Sequence, residues 1–122
     1  MAHILLIEDD EQFRAMLAQM LSLDAHQVTL ACDGEEGLRL ALQVAPDLIL
    51  TDILMPHLDG IETITALRKA GSAIPVIAMS GGRRAISAEF NLEAASLIGV
   101  KATLNKPFAR ADLRLAVRRA LS

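Results

Sequence analysis

Short aliphatic runs alternate with segments of helical period along the whole chain, and that alternation limits what the chain can fold into. The runs are His3 to Ile7, Gln27 to Leu30, Asp47 to Thr51, Pro75 to Met79 and Lys101 to Leu104, and each reads as a strand. Between the first two, Phe13, Met16, Leu17, Met20 and Leu21 recur at helical spacing, which predicts a helix with one apolar stripe. A second helix starts after Asp33 as N-cap and stops before Pro46, because a residue preceding proline avoids helical dihedrals. A third follows Asp59-Gly60, turns Ile61, Ile64 and Leu67 inward and ends at Gly71. A fourth covers about Ile86 to Ile98 with Phe90, Ala94, Leu97 and Ile98 inward, and a fifth follows Phe108 and buries Leu113, Ala116, Val117 and Ala120. Leu48-Ile49-Leu50 and Val76-Ile77-Ala78-Met79 are unbroken apolar runs, as expected of strands covered on both faces. The (βα)5 order predicts a parallel, three-layer α/β sheet. Right-handed crossovers wind it in both directions, so a functional site is expected beyond the carboxyl ends of the strands.

With 122 residues, 52% hydrophobic and 22% charged, the chain is expected to form one domain over 1–122, with a real core and no disordered tail. Its net charge of -3 gives no general attraction to nucleic acid or to an anionic membrane, so no direct nucleic-acid partner is expected. No apolar run approaches the roughly 20 residues of a membrane-spanning helix, so no membrane insertion is expected. A single cysteine, Cys32, and an apolar, acid-flanked start with no basic leader predict a cytoplasmic protein.

Polar chemistry collects where the predicted strands end: Glu8, Asp9 and Asp10 after the first, Asp52 after the third, Ser80 after the fourth and Lys106 after the fifth. Clustered carboxylates repel one another when desolvated unless a cation joins them, and hard oxygen donors suit Mg²⁺. Taken alone, Glu8 to Glu11 also read as acids favouring a helix N-terminus. Asp52 could likewise cap a turn before Pro56, and Ser80-Gly81-Gly82 is ordinary loop chemistry as well as an anion-binding sequence. Lys106 precedes Pro107, which holds it in a turn where the peptide bond can be cis. The ordered set carries more information than any member of it.

Together these residues resemble the receiver domain of two-component response regulators along the whole chain. The matching text is Ile4-Leu5-Leu6-Ile7-Glu8-Asp9-Asp10, the stretch from Asp47 through Asp52-Ile53-Leu54-Met55-Pro56 to Asp59-Gly60, Pro75-Val76-Ile77-Ala78-Met79-Ser80, and Lys106-Pro107-Phe108. The resemblance implies a CheY-like, flavodoxin-like sheet with strand order 2-1-3-4-5. It also implies that Asp52 is the phosphoacceptor and that Mg²⁺ or Mn²⁺ is held by Asp9, Asp52, the backbone carbonyl of Leu54 and, through water, Glu8. Ser80 would bond the phosphoryl oxygen and Lys106 would pair with it, while Asp10 matches a position the family does not need. The implied partners are a histidine kinase or histidine phosphotransfer protein as donor and a downstream protein as target.

Phosphoryl transfer of this kind needs positioning and charge neutralisation rather than a proton-abstracting base. His3, His26 and His57 lie at no metal-ligand spacing and read as incidental. Two features depart from the family pattern. Thr103 stands where an aromatic switch residue is usual, three positions before the lysine, and the stretch from Ser80 to Lys106 is about one helical turn longer than the norm. The signal is therefore expected to leave through Ser80, Gly81, Gly82 and the helix after Arg83-Arg84, with Arg110, Arg114 and Arg118 as an adjoining outward stripe. Leu54 and Gly82 offer no amide or carboxylate to orient water, which predicts a long-lived phosphorylated form. A phosphorylation-independent pseudo-receiver is the main rival. An aspartyl phosphatase would want a carboxylate at Leu54, and a flavodoxin would want a phosphate-cradling loop where Glu8-Asp9-Asp10-Glu11 stands. With no output domain after Ser122, the chain resembles stand-alone receivers that act through protein contacts or pass the phosphoryl group onward, with an excised fragment of a longer regulator as the alternative.

Overall fold

The computed structural model describes residues 1–53, 60–81 and 100–122. Among them are β1 His3–Ile7, α1 Glu11–Leu23, β2 Gln27–Ala31, α2 Gly34–Val44, β3 Leu48–Asp52, α3 Gly60–Lys69, β4 Val76–Gly81, β5 Ala102–Lys106 and α4 Arg110–Leu121. The strands form one parallel sheet in the order β2-β1-β3-β4-β5, as the resemblance implied. The helix expected over Ile86 to Ile98 lies outside the described residues.

Each strand buries alternate residues on opposite faces, which divides the core in two. Ile4, Leu6, Leu48, Leu50, Ile77 and Met79 pack with Leu17 and Leu21 of α1 and Leu113, Ala116, Val117 and Ala120 of α4. Leu5, Ile7, Ile49 and Val76 pack on the other face with Ala41 of α2 and Ile64 and Leu67 of α3. Every residue of the central β3 is buried, whereas the edge strands β2 and β5 are only partly so. Continuous aliphatic text thus marks the middle of this sheet and mixed text its edges.

The helix boundaries follow local chemistry. Asp10 caps α1 by accepting the Phe13 N–H at 3.0 Å, and Asp33 caps α2 by accepting the Glu36 N–H at 2.9 Å. Ala45, at φ 47, turns the chain out of α2 before Pro46. Gly71, at φ 86, ends α3, with its N–H donated to the Arg68 carbonyl and that of Ser72 to Leu67. One expected inward residue is not inward: Met16 is 41% exposed. It sits about 100° around the helix from Leu17, on the flank of the buried stripe, and Ala18 packs against the core from the other flank.

The arginine stripe of α4 faces outward as expected, with a partner the sequence did not show. Arg110 Nη2 donates to Asp24 Oδ1 at 2.6 Å, and Arg114 donates to both Asp24 oxygens at 2.8–3.1 Å. Two of the three stripe arginines therefore clamp α4 to the end of α1, while Arg114 and Arg118 remain exposed. Histidine plays a structural part as well, since His3 Nε2 meets Thr29 Oγ1 at 2.6 Å and His26 Nδ1 accepts the Ala2 N–H at 3.1 Å.

Hydrogen bonds from Arg114 and Arg110 hold the Asp24 carboxyl down at about 2, from an ordinary 3.8. A value lower in the folded than in the unfolded chain gives stability that is present above pH ~4 and is lost as pH falls through about 2. Asp24→Asn is therefore expected to unfold at lower urea concentration than the unaltered chain at pH 7, with the gap closing between pH 4 and 2. A gap independent of pH in a urea titration series would contradict this clamp.

Candidate functional site

β3, β4 and β5 run one or two residues beyond their expected ends, because the ladder continues through the polar residues. Asp52 is the last residue of β3 and pairs with Met79, while Gly81 pairs with Lys106, the last residue of β5. β1 and β3 are neighbours although α1, β2 and α2 separate them in sequence, so the chain reverses its winding direction there. Glu8 and Asp9 follow β1 at that crevice, beside Asp52, where doubly wound sheets place their ligand sites.

One carboxylate oxygen from each of Glu8, Asp9 and Asp52 lies within 4.8 Å of the others. Glu8 is fully buried and Asp52 is 6% exposed. Lys106 bridges them: its Nζ donates to Glu8 Oε1 at 2.5 Å and to Asp52 Oδ2 at 2.7 Å. The second Glu8 oxygen accepts the Asp10 N–H at 3.1 Å, and the Glu8 carbonyl accepts from Arg14 Nη1 at 2.9 Å. Burial pushes the Glu8 carboxyl up to about 7; the Lys106 hydrogen bond opposes that rise and the charge of Asp52 adds to it. For Lys106, burial alone would favour the neutral amine, but hydrogen bonds to Asp52 and Glu8 outweigh it and hold the ammonium above its ordinary value.

Ser80 is 2% exposed, and its Oγ has no hydrogen-bond partner among the described residues. A buried hydroxyl without a partner carries a desolvation penalty of about 1–3 kcal/mol, so an arriving acceptor oxygen would gain from meeting it. The oxygen-only cluster matches the donor chemistry of a hard divalent cation, and the Ser80 hydroxyl and Lys106 ammonium match that of an anion. The fold thus brings Glu8, Asp9, Asp52, Ser80 and Lys106 to one edge. Leu54, expected to offer its carbonyl, and Gly82 and Arg83-Arg84, expected to carry the signal, lie outside the described residues, as does His57.

Two parts of this edge were not assigned from the sequence. Asp10 is the cap of α1, a role that an aspartate three residues before the first core residue of a helix does signal. The packing of Phe13 against Lys106, described below, joins residues from opposite ends of the chain and leaves no local sign. Thr103 is exposed on the edge strand β5, so the usual aromatic position holds a small polar side chain in contact with solvent.

A doubly wound sheet that ends in an acidic trio bridged by a lysine has the architecture of a CheY-like two-component receiver. Residues 4–118 match the response regulator receiver domain, and the chain belongs to that family. Its fold superposes on chemotaxis protein CheY4 of Vibrio cholerae with a TM-score of 0.88 at 26% identity, over 99% of each chain. The N-terminal domain of a Wolinella succinogenes protein gives 0.86 at 36% identity, over 97% of this chain and 92% of that one. Transcriptional regulatory protein PrrA of Mycobacterium leprae is 37% identical over 115 residues, which are 94% of this chain and 48% of the relative. Response regulator MprA of Mycolicibacterium vanbaalenii is 36% identical over 118 residues, 97% of this chain and 49% of the relative. The chain spans about half the length of these curated relatives. Among the described residues, no helix is long and apolar enough to cross a membrane.

Asp52 is also fixed from behind. The Gly60 N–H donates to the Ile53 carbonyl at 2.7 Å, and a Cβ on Gly60 would fall inside van der Waals contact of the Asp52 carbonyl and the Ile53 Cα. A Cβ on Gly37 would also collide, but with the side chain of Ile7 rather than with backbone. Gly60→Ala is therefore expected to lose about 1–3 kcal/mol in urea unfolding. Gly37→Ala should lose less, since Ile7 can shift and alanine favours the helix by about 1 kcal/mol. The reverse ranking would show that Gly60 does not set the distance between α3 and Asp52.

Proposed function

We propose that the chain, as one receiver domain over 1–122, is a phosphorylation-switched signalling module in which Asp52 accepts a phosphoryl group. The observation that carries this reading is the three-carboxylate cluster with Lys106 bonded across it, set beside the buried Ser80 hydroxyl, which has no partner among the described residues. Glu8, Asp9 and Asp52, with the backbone carbonyl of Leu54, would hold Mg²⁺ or Mn²⁺. A cation there would offset the carboxylate charge and polarise the phosphoryl oxygens.

The donor is a phosphohistidine on a histidine kinase or phosphotransfer protein. An Asp52 oxygen forms the new bond to phosphorus as the phosphorus–nitrogen bond of the donor breaks, and the electron pair of that bond returns to the imidazole. Asp52 needs no base, because the ionised carboxylate is itself the nucleophile. The Lys106 ammonium, already 2.7 Å from Asp52, pairs with the arriving phosphoryl oxygen, and the Ser80 hydroxyl donates to another. These contacts exist only after transfer, so they can bias a conformational equilibrium. The switched surface then acts on a downstream protein. The protein acts on its own carboxylate and turns over no other substrate.

Incubation with phosphoramidate and Mg²⁺ is expected to add one phosphoryl group, seen by intact-protein mass spectrometry. Asp52→Asn should abolish the addition, and chelation of the metal should suppress it. Undiminished labelling of Asp52→Asn, or a full rate under chelation, would contradict the assignment. A failure of the unaltered chain to accept any phosphoryl group would favour a phosphorylation-independent binding module.

A further inference from the structure

The chain has three phenylalanines and neither tryptophan nor tyrosine, and two of the three meet at the acidic edge. Phe13 lies in the first turn of α1, where its N–H is tied to the cap Asp10 at 3.0 Å. Phe108 follows Lys106 and Pro107, whose peptide bond is cis. The two rings are 5.8 Å apart between centroids at 81° to one another, edge to face. The Lys106 Nζ lies over the Phe13 ring, 4.4 Å from its centroid.

A lysine ammonium on a four-carbon stem can meet two carboxylates from many positions, so the contacts to Glu8 and Asp52 do not by themselves fix it. The ring supplies a third contact of a different kind. Its face attracts a cation electrostatically. It offers no lone pair to compete for the N–H bonds, and it occupies a side of the ammonium that water would otherwise solvate. The N–H groups are thereby left directed at the carboxylates. Phosphoryl transfer depends on where its charged groups are held. The edge of Phe108 against Phe13, and the packing of both rings on the α1–α4 core, hold the ring where the ammonium meets it.

We propose that Phe13 is a positioning residue for phosphoryl transfer, holding the Lys106 ammonium at Asp52 through its ring face, with Phe108 keeping that ring in place. This role rests on Asp52 being the phosphoacceptor. Phe13 touches neither phosphate nor metal and acts only through Lys106.

The test uses the full 122-residue chain with phosphoramidate and Mg²⁺, and compares Phe13→Leu, Phe13→Met and Phe13→Tyr. Leucine and methionine fill the apolar space without a ring, and are expected to slow labelling roughly tenfold. Tyrosine keeps the ring face and should label within about twofold of the unaltered chain. In parallel, proton NMR of the Lys106 ε-methylene should show an upfield ring-current shift in the unaltered chain and in Phe13→Tyr, lost in the leucine and methionine variants. This shift is read without any donor, so it separates the ring contact from the phosphoacceptor reading. Labelling of both ringless variants at the unaltered rate, equal slowing of all three variants, or an unchanged Lys106 shift in the ringless ones would overturn the proposal. An unaltered chain that takes no phosphoryl group while its Lys106 shift depends on the ring as expected would overturn the phosphoacceptor reading, and this role with it.

Discussion

Lys106 stands between two buried carboxylates, and the carboxyl edge of the sheet depends on that contact. β1 and β3 are neighbours, so their ends deliver Glu8 and Asp52 to almost the same place, and neither is open to bulk water. Two such groups could not both remain charged there without a cation. β5, at the far side of β4, ends with the lysine that supplies one. Removing one partner from a buried ion pair leaves the other unpaired, at a cost of about 3–5 kcal/mol. On the proposed function, the same ammonium that relieves this repulsion in the resting protein would also neutralise an arriving phosphoryl group. Structural and functional demands therefore fall on one side chain.

The surroundings of that contact follow from the strand order. Crossovers in opposite directions from β1 open a crevice at its carboxyl end, and the two halves of the core hold the strands on either side of it rigidly. Gly60 lets the backbone of α3 approach that of Asp52, and the cap at Asp10 starts α1 directly behind Glu8. Each device is local and small, yet all of them bear on where the Asp52 carboxylate lies. The clamp of Arg110 and Arg114 on Asp24 joins α4 to α1 on one face of the same sheet.

Much of this was legible in the sequence because the physics involved is periodic or local. Unbroken aliphatic runs identified β3 and β4, and Asp33, Gly71 and the stripe of Leu113, Ala116, Val117 and Ala120 set helix limits and faces that the structure reproduces. The polar residues at the strand ends could be gathered into one candidate site, because parallel strands in a doubly wound sheet share one carboxyl edge. Strand ends were less legible: ladders persist through Asp52, Ser80 and Lys106, whose polarity reads as loop. The fates of Arg110, Arg114 and Phe13 depend on partners distant in the chain. No spacing rule shows that an arginine stripe is turned onto Asp24, or that a helical phenylalanine lies beneath a lysine from the last strand.

The most direct test of the central claim locates the phosphoryl group. An aspartyl phosphate is an acyl phosphate, and borohydride reduces it to the alcohol, converting the aspartate into homoserine. After incubation with phosphoramidate and Mg²⁺, reduction and peptide sequencing by mass spectrometry should find homoserine at position 52 and not at Asp9 or Asp10. Homoserine at either of those neighbours, or a stable phosphoryl group that yields no homoserine at all, would contradict the account.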